Sequence, residues 1–229
     1  AEHVPVTLPL PTGPLRGNGA AVTTFCNESF MDELAVRAGA EALSFRIGML
    51  GHDPRLAACL LQVAGMAQWD GGRGAGGSAA AQGLACMRFD GVPDAAGVAC
   101  TGRIACIAEV EAAGGGVRVR RILAAVDLGR IVNQDIAHQQ LEGGLLFGVT
   151  TALGSAADYR NGLPVTDRLR DLSIPSLATS PEIVVQFLPQ PDQPPFDPGE
   201  IGAAIAPAAI ANAVFAATGQ RRRTLPLIG

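Results

Sequence analysis

The chain has 229 residues and a formal net charge of −4, long enough to bury a sizeable core as one large domain or two small lobes. Hydrophobic residues make up 48% and charged residues 17%, and each of the 17 basic residues is Arg. The absence of Lys excludes a Schiff-base lysine and a phosphate-loop lysine, and a net negative chain without a basic, aromatic-studded stripe speaks against nucleic acid as a partner. Apolar runs are interrupted by Gly, Pro or polar residues, so no membrane span is expected. Two readings of so few charges stay open: a free-standing domain, or one largely covered by other chains.

Residues 1 to 15 carry four prolines in an extended, apolar context, which suits a strand edge or an arm lying on another surface. Asn27 is a plausible N-cap for a helix over 27 to 38, with Phe30, Leu34 and Ala38 at helical spacing. A second helix starts at Asp53, with Pro54 in its first position, and runs to about Trp69. DGGRGAGG at 70 to 77 is a Gly-rich connection and, without a Lys, a poor phosphate loop. Small apolar residues fill 78 to 89. Segments 101 to 111 and 117 to 127 flank a Gly-rich turn and predict a β-hairpin.

A third helix is expected in much of 133 to 153, its internal glycines marking close packing. Prolines surround a strand-like EIVVQFL in 181 to 198. Residues 204 to 218 contain no charge, and a helix apolar on every face belongs in the interior. This order of elements predicts an α+β, or mixed α/β, fold with no clear internal boundary. The basic triplet at 221 to 223 follows that helix and suits its C-terminal dipole.

The five cysteines, Cys26, Cys59, Cys86, Cys100 and Cys106, form no C-x-x-C pair, so buried free thiols are the default. The histidines are His3, His52 and His138; no G-x-S-x-G occurs, and no side-chain metal site is expected. Three Gly-rich segments remain. In DPGEIGAA, Glu200 stands between Gly199 and Gly202 just before the charge-free helix. It reads either as a carboxylate at a helix N-terminus or as a desolvated general base whose glycines let a ligand approach. In LRGNG, Arg16 and the backbone around Asn18 can bind an oxygen-rich ligand or form a plain turn. In QQLEGG, Gln139, Gln140 and Glu142 precede paired glycines that also suit a tight helix contact.

Taken together, LRGNG, FCNESFMDELA, VDLGRIVNQDIAHQQLEGGLLFGVTTAL and PGEIGAAIAPAAIANAVFAATGQRRRTLPL resemble the xanthine dehydrogenase and aldehyde oxidase family. The likeness is greatest to large, molybdopterin-binding subunits of the isoquinoline 1-oxidoreductase type, and the C-terminal segment is its most diagnostic part. The resemblance implies hydroxylation of an aldehyde or N-heterocycle with water as oxygen source. It places Glu200 as the catalytic base, and Arg16, Gly17, Gln140 and Gly199 beside the cofactor. The implied cofactor is a molybdenum-carrying pterin, in some members a cytosine dinucleotide, which holds the metal through the pterin itself.

Departures from the family pattern are specific. Asn18 stands where xanthine-oxidising relatives carry Phe, so it is the candidate substrate-side residue and purine specificity is not implied. Leu128 replaces a usual Cys or Val, Gln134 a usual Pro, and Ile201 and Ala203–Ala204 the usual prolines after the base. Family large subunits are several times longer. Residues 1 to 229 therefore read as a single C-terminal molybdopterin-binding region, incomplete relative to that subunit. Expected partners are a chain supplying the rest of the cofactor site, a 2Fe-2S subunit and a small-molecule substrate. The alternative is a non-catalytic scaffold that keeps the family fold. The compartment stays open between periplasm and cytoplasm, with the resemblance pointing to the periplasm.

Overall fold

The computed structural model describes residues 13–73, 80–93, 97–113, 116–154, 156–166, 168–172 and 174–227. Its helices are α1 (Asn18–Arg37), α2 (Ala42–Met49), α3 (Pro54–Ala67), α4 (Gln134–Leu153) and α5 (Ile201–Thr218). The strands are β1 (Ala81–Asp90), β2 (Thr101–Ala113), β3 (Gly116–Asp127), the two-residue pair β4 (Tyr159–Arg160) and β5 (Leu163–Pro164), and β6 (Glu182–Phe187). The mixed α/β class expected from the order of elements is the class observed. Residues 1 to 12 of the N-terminal arm, and 74 to 77 of the Gly-rich connection, lie outside the described residues.

Strands β1, β2, β3 and β6 form one sheet in that order, antiparallel except for the parallel β3–β6 pair. Period-two alternation sends successive side chains to opposite faces. On β2 and β3, Ile104, Cys106, Ala108, Ile122, Ala124 and Val126 share one apolar core with α4 and α5. Their neighbours Ala105, Ile107, Leu123 and Ala125 pack on the other face against Leu56, Leu60 and Val63 of α3. Both faces are thus covered, which explains why the middle strands read as continuous apolar runs.

Helix α5 lies in the middle of the larger core. Its residues Ile201 to Val214 are all buried, so apolar contact on every side, not an amphipathic stripe, holds it in place. Small side chains let it approach its neighbours closely. At Gly83 of β1 a Cβ would stand 2.0 Å from the Ala213 nitrogen, and at Gly202 it would stand 2.8 Å from the Leu145 nitrogen. The sequence expectation about membrane-like segments is corrected here. Over Ile201–Thr218, α5 reaches a mean hydropathy of 1.7 and the length of a span, but 78% of it is buried within this fold.

Two boundaries also differ from expectation. Helix α1 begins at Asn18 with Gly17 as N-cap, so Asn27 lies inside the helix rather than capping it. Helix α2 has no counterpart in the sequence reading. Glu41 starts it by accepting hydrogen bonds from the Leu43 and Ser44 amides, both at 2.8 Å. The hairpin, the β6 strand and the helices after Asp53 and Asn133 fall where the pattern places them.

Buried ion pairs tie the helices to the sheet. Arg46 of α2 donates to Glu28 of α1 at 3.0 Å, and the same Glu28 carboxylate accepts the Cys86 amide of β1 at 2.8 Å. Arg221 pairs with Asp32, donates to Asn212 at 2.6 Å and lies over the Phe215 ring. The basic triplet after α5 therefore grips α1 instead of only facing its own helix end. At the start of α3, Asp53 caps Leu56 and pairs with Arg103 of β2 at 2.7 Å.

Gly83→Ala should force α5 off the sheet, because the new methyl meets backbone rather than a flexible side chain. A loss of about 3 kcal/mol or more is expected in urea unfolding. Burial alone would raise the Asp53 carboxyl, but Arg103 and the Leu56 amide hold it below its ordinary value. A depressed carboxyl contributes stability above its unfolded value and loses it as pH falls through the folded one. Asp53→Asn should thus be destabilised at neutral pH, and its deficit should shrink below about pH 4 in acid-unfolding curves.

Candidate functional site

Three segments far apart in sequence converge where α4 crosses the start of α5. The crossing is tight because Gly144 and Gly202 face each other; a Cβ on Gly144 would stand 3.3 Å from the Gly202 Cα. This closeness brings Gln140, one turn earlier on α4, to the loop that ends in Glu200. The turn before α1 supplies the third segment. Gly17 has φ +93° and a buried backbone, a left-handed conformation that Cβ-bearing residues disfavour. A Cβ there would stand 2.9 Å from the Ala21 methyl and 3.6 Å from the Ala204 nitrogen.

The contacts are polar and directional. Arg16 Nε and Nη2 donate to the Gly199 carbonyl at 3.2 and 3.1 Å, and Nη2 also reaches the Gln140 carbonyl at 3.3 Å. Gln140 Nε2 donates to the same Gly199 carbonyl at 3.3 Å. The Gly17 N–H donates to the Glu200 carboxylate oxygen Oε2. Asp197 accepts the Gly199 N–H at 2.9 Å, closing the turn that precedes α5.

The sequence candidates Arg16, Gly17, Gln140, Gly199 and Glu200 are thus in direct mutual contact, with Asn18 next in the chain, exposed at φ 45°. Gly17 is buried, Arg16 and Gly199 are half-buried, and Gln140 and Glu200 are exposed. One expectation is corrected. A charge-free helix follows Glu200, yet the residue is not buried but remains exposed in this chain. Nor does the carboxylate cap its own helix; its partner is the N-cap residue of α1.

Sequence reasoning misses Asp197, whose D-x-G spacing signals an Asx turn. It also misses an adjoining groove of about 460 Å³, lined by Leu128, Ile131, Val132, Ile136, Phe196 and Pro198 together with Gln140 and Asp197. Its walls come from the loop after β3, the first turn of α4 and the loop before α5, a convergence that periodicity does not show.

The family model for the molybdopterin cofactor-binding domain matches residues 18–181. The chain belongs to this family of molybdenum hydroxylase domains. The matched range takes in Asn18 and Gln140; Arg16, Gly17, Gly199 and Glu200 lie outside it. Among relatives, the beta chain of isoquinoline 1-oxidoreductase from Brevundimonas diminuta is 30% identical over 93% of this chain and 26% of its own length. A nicotinate dehydrogenase subunit from Pseudomonas putida is 30% identical over 99% of this chain and 20% of its own. The chain therefore spans about a quarter of the first relative and a fifth of the second. Aldehyde oxidoreductase from Desulfovibrio gigas superposes with a TM-score of 0.70 at 16% identity, over 93% of this chain and 40% of that one, a likeness of fold.

The residues present fit one side of an oxygen-rich pterin. They offer a guanidinium and a side-chain amide, each with N–H groups beyond those given to the Gly199 carbonyl, within one patch that also holds the Glu200 carboxylate. Among the described residues no group of three His, Cys, Asp or Glu could hold a metal ion, so a metal here would be carried by its own organic ligand.

Gly17→Ala tests the turn that brings the segments together. A left-handed alanine should lower stability by about 1–2 kcal/mol, read from denaturant midpoints at unchanged slope.

Proposed function

We propose that this protein forms one side of the molybdopterin site of a molybdenum hydroxylase acting on an aldehyde or an N-heterocycle, with water as oxygen source. The observation that carries this reading is the convergence of Arg16–Gly17, Gln140 and Gly199–Glu200, joined by contacts across up to 183 positions, on one patch that includes the Glu200 carboxylate. The names of the relatives, an isoquinoline oxidoreductase and a nicotinate dehydrogenase, support a heterocyclic substrate.

In this reading Arg16, Gly17, Gln140 and Gly199 line the cofactor, and Asn18 faces the substrate. The bound group, a molybdenum pterin and in one form its cytosine dinucleotide, supplies oxygen-atom transfer and takes up two electrons. Glu200 takes the proton. Its Oε2 is held by the Gly17 N–H, which leaves Oε1 as the oxygen that accepts it. The apolar walls of the adjoining groove exclude water from a flat, weakly polar substrate and favour its entry.

Because the chain spans only part of its relatives, the reading includes a further region, in this polypeptide or in a partner, that completes the cofactor site, and a 2Fe-2S subunit that removes electrons. It also treats the whole chain as one molybdopterin-binding region. Exposure of Glu200, set against the expected desolvation, fits a site closed by such a partner. One observation favours a second reading: the Glu200 carboxylate sits on the N-cap of α1, so the residue could serve only to join two helices in a scaffold.

Glu200→Gln separates the two. Glutamine still accepts the Gly17 N–H but takes up no proton. In the complex purified through this chain, molybdenum and iron content should be unchanged while turnover falls about 10²- to 10⁴-fold. Full turnover, or a complex without molybdenum in the unaltered protein, would favour the scaffold.

A further inference from the structure

We infer that Arg16 is the positioning residue of Glu200 and acts through the Gly199 carbonyl. The inference rests on the reading of Glu200 as base and deepens it. The two pairs 16–17 and 199–200 are bound reciprocally: the side chain of residue 16 holds the backbone of 199, and the backbone of 17 holds the side chain of 200. The Gly199 carbonyl shares a peptide plane with the Glu200 nitrogen, so pinning that oxygen fixes the plane from which the Glu200 side chain departs. A free peptide plane would rotate and re-aim the carboxylate.

Three donors converge on this one oxygen, two from Arg16 and one from Gln140. Arg16 Nη2 also binds the Gln140 carbonyl, so the guanidinium bridges α4 and the loop before α5. The paired glycines of α4 lie beside it, at ordinary contact distance. A Cβ on Gly143 would lie 3.8 Å from Nη1, and one on Gly144 would lie 3.5 Å from Nη2. From the other side, Asp197 fixes the Gly199 N–H, so the residue before the base is held at both its amide and its carbonyl. A planar fork can serve two carbonyls at once, which a lysine ammonium of the same charge does less well.

The test uses the complex purified through this chain, with Arg16→Gln, Arg16→Lys and Glu200→Gln compared on three readouts. These are molybdenum per chain, the split between kcat and KM, and hydrogen exchange of the peptide spanning residues 197 to 204. Positioning predicts that Arg16→Gln, compared per bound molybdenum, keeps a KM within about twofold, loses about 10²-fold in kcat, and exchanges faster across 199 to 204. Arg16→Lys should recover part of kcat and part of the protection, and it carries the comparison if Arg16→Gln does not accumulate. Loss of molybdenum with kcat per molybdenum unchanged would leave Arg16 a cofactor ligand only and overturn the inference. Unchanged kcat and exchange would overturn it as well. A fully active Glu200→Gln would remove the base itself, a failure of the underlying reading that is visible independently of any Arg16 variant.

Discussion

The constraint on which the structure depends is the burial of α5 on all sides. A helix with no charged residue has no face to offer water, so the sheet, α1 and α4 must enclose it. Enclosure at backbone distance requires small residues at the crossings, and Gly83, Gly144 and Gly202 occupy them. The first of these presses the helix onto the sheet. The other two bring the start of α5 against α4, and the same approach sets Glu200 beside Gln140 and Arg16. Packing and site are thus consequences of one contact.

Around this apolar centre the charges have structural work. Glu28, Asp32, Arg46 and Arg221 pair with one another where α1, α2 and the end of α5 meet, with Asn212 accepting from Arg221. Removing one member would leave buried charge unpaired, which is more harmful than replacing the pair. The network also orients α1, whose first residues carry the Arg16–Gly17 turn. Two buried thiols, Cys59 and Cys106, lie outside this network. Burial pushes Cys59 and Cys106 up to about 12, which keeps them protonated and inert at neutral pH.

Much of the fold is legible in the sequence because its signals are local. Hairpin alternation, Asp53 before Pro54, and the helical stretch after Asn133 are each written within a short span. The start of α1 is not legible, since GNGAAVTT has small residues without amphipathic spacing and its cap is a glycine in the left-handed region. Helix α2 is eight residues long and depends on Glu41, an uncommon N-cap. The acids at 28 and 32 look like a solvent face; only the fold shows that Arg46 and Arg221 cover them. The site residues are legible by resemblance, whereas their contacts depend on a crossing between helices that no spacing records. The exposure of Glu200 escapes the sequence because the neighbours of an N-cap residue do not report which way its side chain points.

The separation of 183 positions between Arg16 and Gly199 has a temporal consequence. During synthesis the first half of the clasp leaves the ribosome long before the second exists. No shorter nascent chain contains both partners. A ligand that needs the whole patch therefore cannot be bound until residue 200 and the α5 helix that seats it have been made.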